Sequence, residues 1–271
     1  MIAQTAAIGV VMTGCLLPGK RINRARRMLL PVCLLTASWL TPAQPPGRIE
    51  AGLFSSSRVN EILPADWHPQ TFSRIKRHTD YFLVKEDDSV VVKAVSHQSA
   101  SALARSISVS SMEYPIIQWR WKVNNVLQKG DVTSKDGDDY PARIYITFAF
   151  DPERAGYLET LKHRTARLIQ GQDVPYRAIS YIWASNAPVG TMIANPYTDS
   201  VMMFVVESGK ENLQQWITEK RNVREDYKKA FGEEPTMISG LAIMTDTDNT
   251  GESAIAWYGD IVFTSKRKTI D

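Results

Sequence analysis

Short segments in which apolar and polar residues alternate recur along most of this chain, and they limit the possible folds more than any other feature of the sequence. Arg143–Phe150 alternates strictly, and Ile116–Val123 (IIQWRWKV) places its two tryptophans on one face, as half-buried strands do. Only two segments have helical character: Pro152–Gly171 and Asn222–Phe231, the second of which opens with a capping-box pattern. A parallel α/β sheet would need a helix between most pairs of strands. The pattern therefore predicts a mainly β protein, an antiparallel β-sandwich with two short helices.

The N-terminal region has the layout of a secretory signal peptide. A basic run, Lys20–Arg27, precedes a short apolar run, Met28–Leu35, and small residues follow near Ala43. The apolar run is too short and too interrupted to predict a membrane-spanning helix. We therefore expect an exported protein, periplasmic or secreted, with no stable membrane span unless the leader remains uncleaved.

This layout predicts three parts of the chain. Residues 1–43 form a signal peptide or an N-terminal anchor whose start is misassigned if translation begins at Met12 or Met28. Residues 44–65, which begin in a proline-rich stretch, form a linker. Residues 66–265 form a single β-sandwich domain, which is long enough to be stabilised by its core alone.

The leader also contains both cysteines and much of the positive charge of the chain, which should not be assigned to the mature protein. Both cysteines, Cys15 and Cys33, lie in the leader, so the processed protein would have none. Structural disulfides, thiolate metal sites and cysteine nucleophiles are thereby excluded. Much of the positive charge behind the net charge of +3 lies there too, and without it the charge falls near zero, which argues against a nucleic-acid partner.

A polar, acidic turn separates two apolar segments in Thr245–Phe263, TDTDNTGESAIAWYGDIVF. We interpret it as a β-hairpin that holds carboxylates at a strand edge. The alternation of acidic residues before Gly251 is typical of a calcium loop, but the twelfth position is Trp257 rather than a glutamate. The alternatives are a calcium loop of another kind and a polar turn whose side chains bond its own backbone. The candidate oxygen ligands are Asp246, Asp248, Asn249, Thr250, Glu252 and Asp260, of which Asp246, Asp248 and Asp260 are the predicted metal ligands.

A second acidic loop precedes the strand at Arg143. Asp138 and Asp139 could bind a metal or work as an acid and a base, and Arg143 could pair with one of them or hold an anionic ligand. The alternative is a solvated loop with a structural salt bridge. If the two sheets stack face to face, Asp139 and Asp248 should meet at one rim of the sandwich.

Aromatic residues supply the third candidate, because sugar-binding sandwiches present aromatic side chains to their ligands. The set is Trp119, Trp121, Tyr140, Tyr181, Trp183, Trp257 and Tyr258. Trp119 and Trp121 share a face with Val123, which predicts that they are core. Tyr258 and Asp260 alternate with Trp257, and we expect their face to be the one that binds a ligand.

Several of these motifs together resemble a bacterial exported family catalogued as a domain of unknown function, DUF3047. The motifs are W-R-W-K at 119–122, D-D-Y-P-A-R at 138–143, Y-I-W at 181–183, E-x-R-N-V-x-x-D-Y at 219–227, T-D-T-D-N-T at 245–250 and Y-G-D-I at 258–261. The resemblance covers nearly all of the predicted mature chain and implies an exported bacterial protein, but no activity. The final strand is also similar to that of galactose-binding-like jelly rolls, which implies a sandwich of jelly-roll type.

These observations favour an exported, non-catalytic binding protein for a glycan or another polar cell-envelope ligand. The predicted ligand-binding residues are Asp138, Asp139, Arg143, Asp246, Asp248, Tyr258 and Asp260, with calcium as a possible cofactor. A polysaccharide hydrolase or lyase that uses paired carboxylates and a structural or assembly partner in the envelope are the alternatives. The sequence leaves the oligomeric state open.

Overall fold

Two β-sheets packed face to face make up the computed structural model, which describes residues 47–59, 61–153 and 176–266. Sheet A contains β1 (Arg48–Gly52), β3 (Asp80–Glu86), β4 (Ser89–His97), β6 (Ile116–Val123), β11 (Ile217–Asn222) and β13 (Ser253–Thr264). Sheet B contains β2 (His68–Gln70), β5 (Ala102–Val109), β7 (Ala142–Phe148), β8 (Arg177–Ala184), β9 (Met192–Asn195), β10 (Thr198–Ser208) and β12 (Ile238–Met244). The predicted mainly β sandwich is confirmed.

The strand order is that of a jelly roll. Sheet A runs β11-β6-β13-β4-β3, and the central part of sheet B runs β5-β12-β7-β8. Consecutive strands change sheets from β4 through β7 and again from β11 through β13, which interleaves the two sheets along the chain. As a result, a loop that joins two consecutive strands usually crosses from one sheet to the other at the rim.

One pair of neighbouring strands departs from the antiparallel arrangement. β8 and β10 pair in parallel. After β8 the chain passes the position that β10 will occupy and forms β9 at the sheet edge. A tight turn then leads back into β10, which therefore runs in the same direction as β8. The other pairs of neighbouring strands in the described ranges are antiparallel.

Aromatic side chains from both sheets meet in the core. Trp119 of β6 stacks on Tyr181 of β8 with ring centroids 5.1 Å apart, and Trp121 lies 6.0 Å from Trp183. All four are buried, which confirms that Trp119 and Trp121 are core residues. Such rings bury a large apolar area, and this stabilises a sandwich that has no disulfide in the described residues.

Helix α1 (Val223–Phe231) begins and ends as its sequence predicts. Asn222 accepts a hydrogen bond from the backbone N–H of Glu225 at 3.3 Å, and Gly232 ends the helix in the left-handed conformation. The other predicted helix, Pro152–Gly171, falls almost entirely on 154–175, outside the described residues. No helix in the described ranges is long and apolar enough to cross a membrane.

β1 lies inside the segment 44–65 that was predicted to be a linker. It pairs with β13 over Arg48–Gly52, so this part of the segment belongs to sheet A. The proline- and glycine-rich composition of the segment conceals the strand, because a five-residue edge strand carries little alternation.

Candidate functional site

The predicted hairpin at Thr245–Phe263 is instead a crossover between the two sheets. β12 pairs with β5 and β7 in sheet B, whereas β13 pairs with β4, β6 and β1 in sheet A. The loop Thr245–Glu252 therefore spans the rim of the sandwich; we call it the crossover loop. A hairpin and a crossover have the same sequence pattern, which is two strands joined by a polar turn. Only the choice of pairing partners distinguishes them.

Buried hydroxyl groups hold the crossover loop in place. The Tyr258 hydroxyl donates to the Met244 carbonyl at 2.7 Å and lies 2.9 Å from Thr245 Oγ1. Thr245 Oγ1 in turn donates to the Pro141 carbonyl at 2.9 Å, and Thr247 Oγ1 bonds Ser96 Oγ at 2.8 Å. Tyr258 is fully buried, so it faces the core and not a ligand, contrary to our expectation from the sequence.

The crossover loop meets the loop before β7, and together they form the acidic cluster of Asp138, Asp139, Asp246 and Asp248. Carboxylate oxygens of Asp139, Asp246 and Asp248 lie within 4.8 Å of one another, an arrangement that could hold a metal ion. The backbone N–H of Thr250 donates to Asp139 Oδ2 at 2.6 Å, which ties the two loops directly together. The structure thus brings Asp139 and Asp248 to one rim.

Arg143 neutralises part of this cluster. Its guanidinium forms a buried ion pair with Asp246, and its Nη1 lies 3.7 Å from Asp138 Oδ1. Burial raises the pKa of Asp246 well above its ordinary value; Arg143 acts in the opposite direction, and the charges of Asp139 and Asp138 raise the pKa further. Burial also raises the pKa of Asp248, and the charge of Asp139 adds to the effect. Four carboxylates therefore share one guanidinium.

Most of the cluster is out of reach of a large ligand. Asp139 and Asp246 are at most 1% exposed, and Asp138 is buried beside Arg143, where its Oδ2 accepts a 2.8 Å hydrogen bond from Asn195. Half-buried Asp248 lines an open cavity of about 370 Å³ together with basic and polar residues. The other lining residues are Arg74, Ile75, Lys76, Arg77, Gln98 and Gly251. Only Asp248 gives the cluster access to this cavity.

The other predicted oxygen ligands lie around or away from the cluster. Asn249 donates to the Asp138 carbonyl at 3.4 Å, which places it beside the cluster. Glu252 accepts hydrogen bonds from the backbone N–H groups of Gln128 and Lys129 at 3.0 and 2.9 Å. Asp260 accepts from the Ser55 N–H and hydroxyl at 2.8 and 2.6 Å, so it does not join Asp246 and Asp248.

The outer face of sheet A carries side chains that alternate between aromatic and cationic. We call them the aromatic–cation row: Phe82 on β3, Lys93 on β4, Trp257 on β13, Lys122 on β6 and Trp216 immediately before β11. Phe82 pairs with Lys93, Lys93 with Trp257, and Trp257 with Lys122. Their neighbours along each strand point into the core, so these side chains point outward.

The cations of the row lie over the aromatic rings. Lys122 Nζ is 4.6 Å from the ring centroid of Trp257 and 5.2 Å from that of Trp216, and Lys93 Nζ is 5.6 Å from Trp257. Glu86, at the end of β3, also reaches Lys122. In a flat sheet β3 and β6 would lie three strand spacings apart, about 14 Å. The contact therefore joins two strands that are not neighbours in sheet A.

A shallow depression of about 160 Å³ adjoins the row on the same face. Its lining includes Arg48, Gln118, Arg120, Thr218 and Asp260. Arg120 extends across Gly259 to place its guanidinium 4.6 Å from the Trp216 ring centroid. A Cβ at position 259 would lie 2.5 Å from Arg120 Cγ, so only glycine leaves room for this path.

A bulge explains why sequence reasoning assigned the wrong face. The register of β13 against β6 shifts between Tyr258 and Ile261, so strict alternation fails there. Asp260 consequently borders the same depression as Arg120, on the outer face with Trp257, while Tyr258 points inward. The alternation of Gln118, Arg120 and Lys122 was the sequence signal for this face, but the cross-strand row depends on pairing that the sequence does not show.

Comparisons with known proteins identify a family but no activity. The family model described as "Protein of unknown function (DUF3047)" matches residues 65–262. No curated protein matches the chain. Solved structures with a similar arrangement include two carbohydrate-binding modules of cellulosomal cellulases from Clostridium thermocellum. The family 11 module of Lic26A-Cel5E has 9% identity and a TM-score of 0.38, with 82% of this chain and 97% of that chain covered. The family 30 module of Cel9D-Cel44B has 9% identity and a TM-score of 0.40, with 82% and 99% covered.

Proposed function

We propose that this chain, which belongs to the DUF3047 family, is a non-catalytic binding protein for a glycan and that the outer face of sheet A is its binding surface. The observation that carries the proposal is the aromatic–cation row, which crosses five neighbouring strand positions of one sheet. This proposal retains the glycan-binding function predicted from the sequence, but it assigns the binding site to the outer face of sheet A and not to the acidic rim.

The chemistry of the face suits a sugar chain. Aromatic side chains pack against the C–H faces and edges of sugar rings, and nearby charged and amide groups bond the hydroxyls. Trp216 and Trp257 are half-buried and Phe82 is exposed, so each is held by the sheet and still presents apolar surface to solvent. Gln118 and Thr218, which are exposed in the adjoining depression, add polar partners.

Charge narrows the class of glycan. Across the row and its depression, four cations (Arg48, Lys93, Arg120 and Lys122) stand against three carboxylates (Glu50, which lies 3.7 Å from Arg48, Glu86 and Asp260). The excess of positive charge favours a saccharide that carries carboxylate or other anionic groups. Binding should therefore weaken as salt rises, because these charges are close to solvent.

We also propose that the protein acts outside the cytoplasm, in the periplasm or after secretion. The support is the basic and apolar pattern of residues 20–35. Cell fractionation of the native protein, with mass spectrometry of its N-terminus, tests this: a mature chain that starts near residue 44 in the periplasmic or secreted fraction is expected, and an intact cytoplasmic chain would contradict it.

The burial of the acidic cluster bears on the alternative of a polysaccharide hydrolase or lyase. Carboxylates that act as acid and base must touch the scissile bond or the water that attacks it. Asp138, Asp139 and Asp246 lie under the surface and bond groups of the protein itself. The geometry therefore argues against polysaccharide cleavage by these three residues.

A glycan array with the purified protein is the first test, followed by calorimetric titration of the best ligand. Neutral and uronic-acid-containing glycans of matched size should be compared. Trp257→Ala should weaken binding at least tenfold, because it removes the ring at the centre of the row. Phe72→Ala serves as the matched control, since Phe72 is an exposed aromatic residue that follows β2 of the other sheet.

The outcomes separate the candidate functions. Preference for acidic glycans that is lost in Trp257→Ala and kept in Phe72→Ala supports the proposal. Absence of glycan binding by the folded protein, or unchanged affinity in Trp257→Ala, would overturn it. Capture of an envelope protein through Trp257 with no glycan bound would instead assign the face to the assembly role.

A further inference from the structure

We propose that the rim of the sandwich binds a calcium ion through Asp139, Asp246, Asp248 and the Thr250 hydroxyl. The ion would tie the loop before β7 to the crossover loop. None of these residues belongs to the aromatic–cation row, and the proposal does not depend on glycan binding.

The charge balance of the cluster calls for a cation. Asp138, Asp139, Asp246 and Asp248 together carry four negative charges if all are ionised, and Arg143 supplies one positive charge. Buried charges are costly unless they are paired or coordinate a metal. A divalent cation would reduce the excess from three negative charges to one.

Two oxygens at the site have no partner in the described part of the chain. Asp139 Oδ1 and Thr250 Oγ1 are both buried and make no hydrogen bond. The two residues are direct neighbours, because the Thr250 N–H donates to the other oxygen of the Asp139 carboxylate at 2.6 Å. Buried polar atoms are nearly always satisfied, so two unpartnered oxygens beside three converging carboxylates point to a ligand that accepts their lone pairs.

The chemistry of the ligand set indicates calcium. All the ligands are oxygens, which hard cations prefer, and Ca–O bonds of about 2.4 Å span at most about 4.8 Å across the ion. The carboxylate oxygens lie within 4.8 Å of one another. Magnesium demands near-ideal octahedral geometry and usually keeps several of its waters, so a set made up mostly of protein oxygens suits calcium better.

Asp248 gives the ion a path from solvent, since it both joins the cluster and lines the open cavity of about 370 Å³. Arg74, Lys76 and Arg77 line the same cavity and oppose a cation there. We therefore expect weak affinity, with a Kd of about 0.1–1 mM, as in extracellular calcium modules.

Thermal unfolding of the whole protein in excess chelator and in about 10 mM CaCl₂ tests the proposal. At this affinity calcium should raise the Tm by roughly 3–10 °C, because it binds the folded state alone. Terbium should also bind and give luminescence sensitised by the buried aromatic residues around Tyr140, and calcium should displace it. Asp248→Asn should lower the calcium affinity at least tenfold, and among the described residues it breaks no ion pair.

Asp131→Asn is the matched control, because Asp131 lies in the same loop before β7 but bonds Thr133 instead. A calcium shift that is kept in Asp131→Asn and lost in folded Asp248→Asn supports the site. The proposal is overturned if calcium leaves the wild-type Tm unchanged, if Asp248→Asn keeps the full shift, or if magnesium at the same concentration reproduces it.

Discussion

Replacement of Arg143 by methionine should destabilise the protein strongly, because Arg143 is the only cation that contacts the acidic cluster among the described residues. Its side chain is 5% exposed and that of its partner Asp246 is 2% exposed. Removal of one partner from a buried pair leaves an uncompensated charge and typically costs about 3–5 kcal/mol. The guanidinium also lies 5.0 Å from the Tyr140 ring and 5.4 Å from the Tyr145 ring, so packing is lost as well.

The assays are urea-induced and thermal unfolding in chelator, with Arg143→Met, Asp246→Asn and the double variant compared. At about 2–4 °C per kcal/mol for a domain of this size, Arg143→Met should lower the Tm by roughly 6–20 °C. The double variant should be less destabilised than the sum of the single variants, with a coupling energy of roughly 2–3 kcal/mol, because neither charge is left alone.

A surface pair provides the control. Arg224 and Glu234 bond through two contacts of 2.8 and 2.9 Å, but their side chains are 31% and 38% exposed. Arg224→Met should therefore cost no more than about 1 kcal/mol. If Arg143→Met cost as little as Arg224→Met, or if the two cluster variants were additive, Arg143 would not be the counter-charge of a buried cluster and the reasoning would fail.

Two further predictions concern Glu219 and Gly259. Burial raises the pKa of Glu219 from 4.5 to about 7, with the charge of Glu207 as the next contribution, so the folded state binds the proton more tightly than the unfolded state does. The free energy of unfolding should fall by roughly 1–2 kcal/mol as pH rises from about 4.5 to 7, after allowance for solvent screening of this half-buried group. Denaturation of Glu219→Gln over this range should give a flatter profile, and an unchanged slope would contradict the assignment. Gly259→Ala should displace Arg120 from Trp216, weaken glycan binding and cost about 1 kcal/mol of stability, since the new Cβ would lie 2.5 Å from Arg120 Cγ. Calorimetry and a thermal melt measure both effects, and wild-type values for both would show that the path across Gly259 is not needed.

Much of the fold follows from local pattern. The strand predicted at Ile116–Val123 has the same bounds as β6, and the strict alternation after Arg143 corresponds to β7. The cap at Asn222 and the stop at Gly232 are local chemistry, and both were found where they were predicted. Short edge strands such as β1 were not predicted, because they are strands through pairing with a neighbour and not through their own propensity.

The acidic cluster and the binding face could be predicted only in part from the local sequence pattern. The meeting of Asp139 with Asp248 followed from stacking two sheets, and the structure brings them together. The burial of the cluster did not follow, because acidic loops are usually solvated and nothing in the sequence indicates that Arg143 turns beneath them. Tyr258 and Asp260 were placed on one face because alternation was assumed to continue through a bulge.

The sequence by itself determined strands with clear alternation such as β6 and β7, where α1 begins and ends, and that both tryptophans of β6 point inward, because these depend on neighbours within a few residues. Only the tertiary structure decided that β12 and β13 lie in different sheets and that Lys93, Trp257 and Lys122 stand side by side. The physical reason is that strand partners are chosen by packing over long separations along the chain, and many pairings satisfy the same alternation of apolar and polar residues.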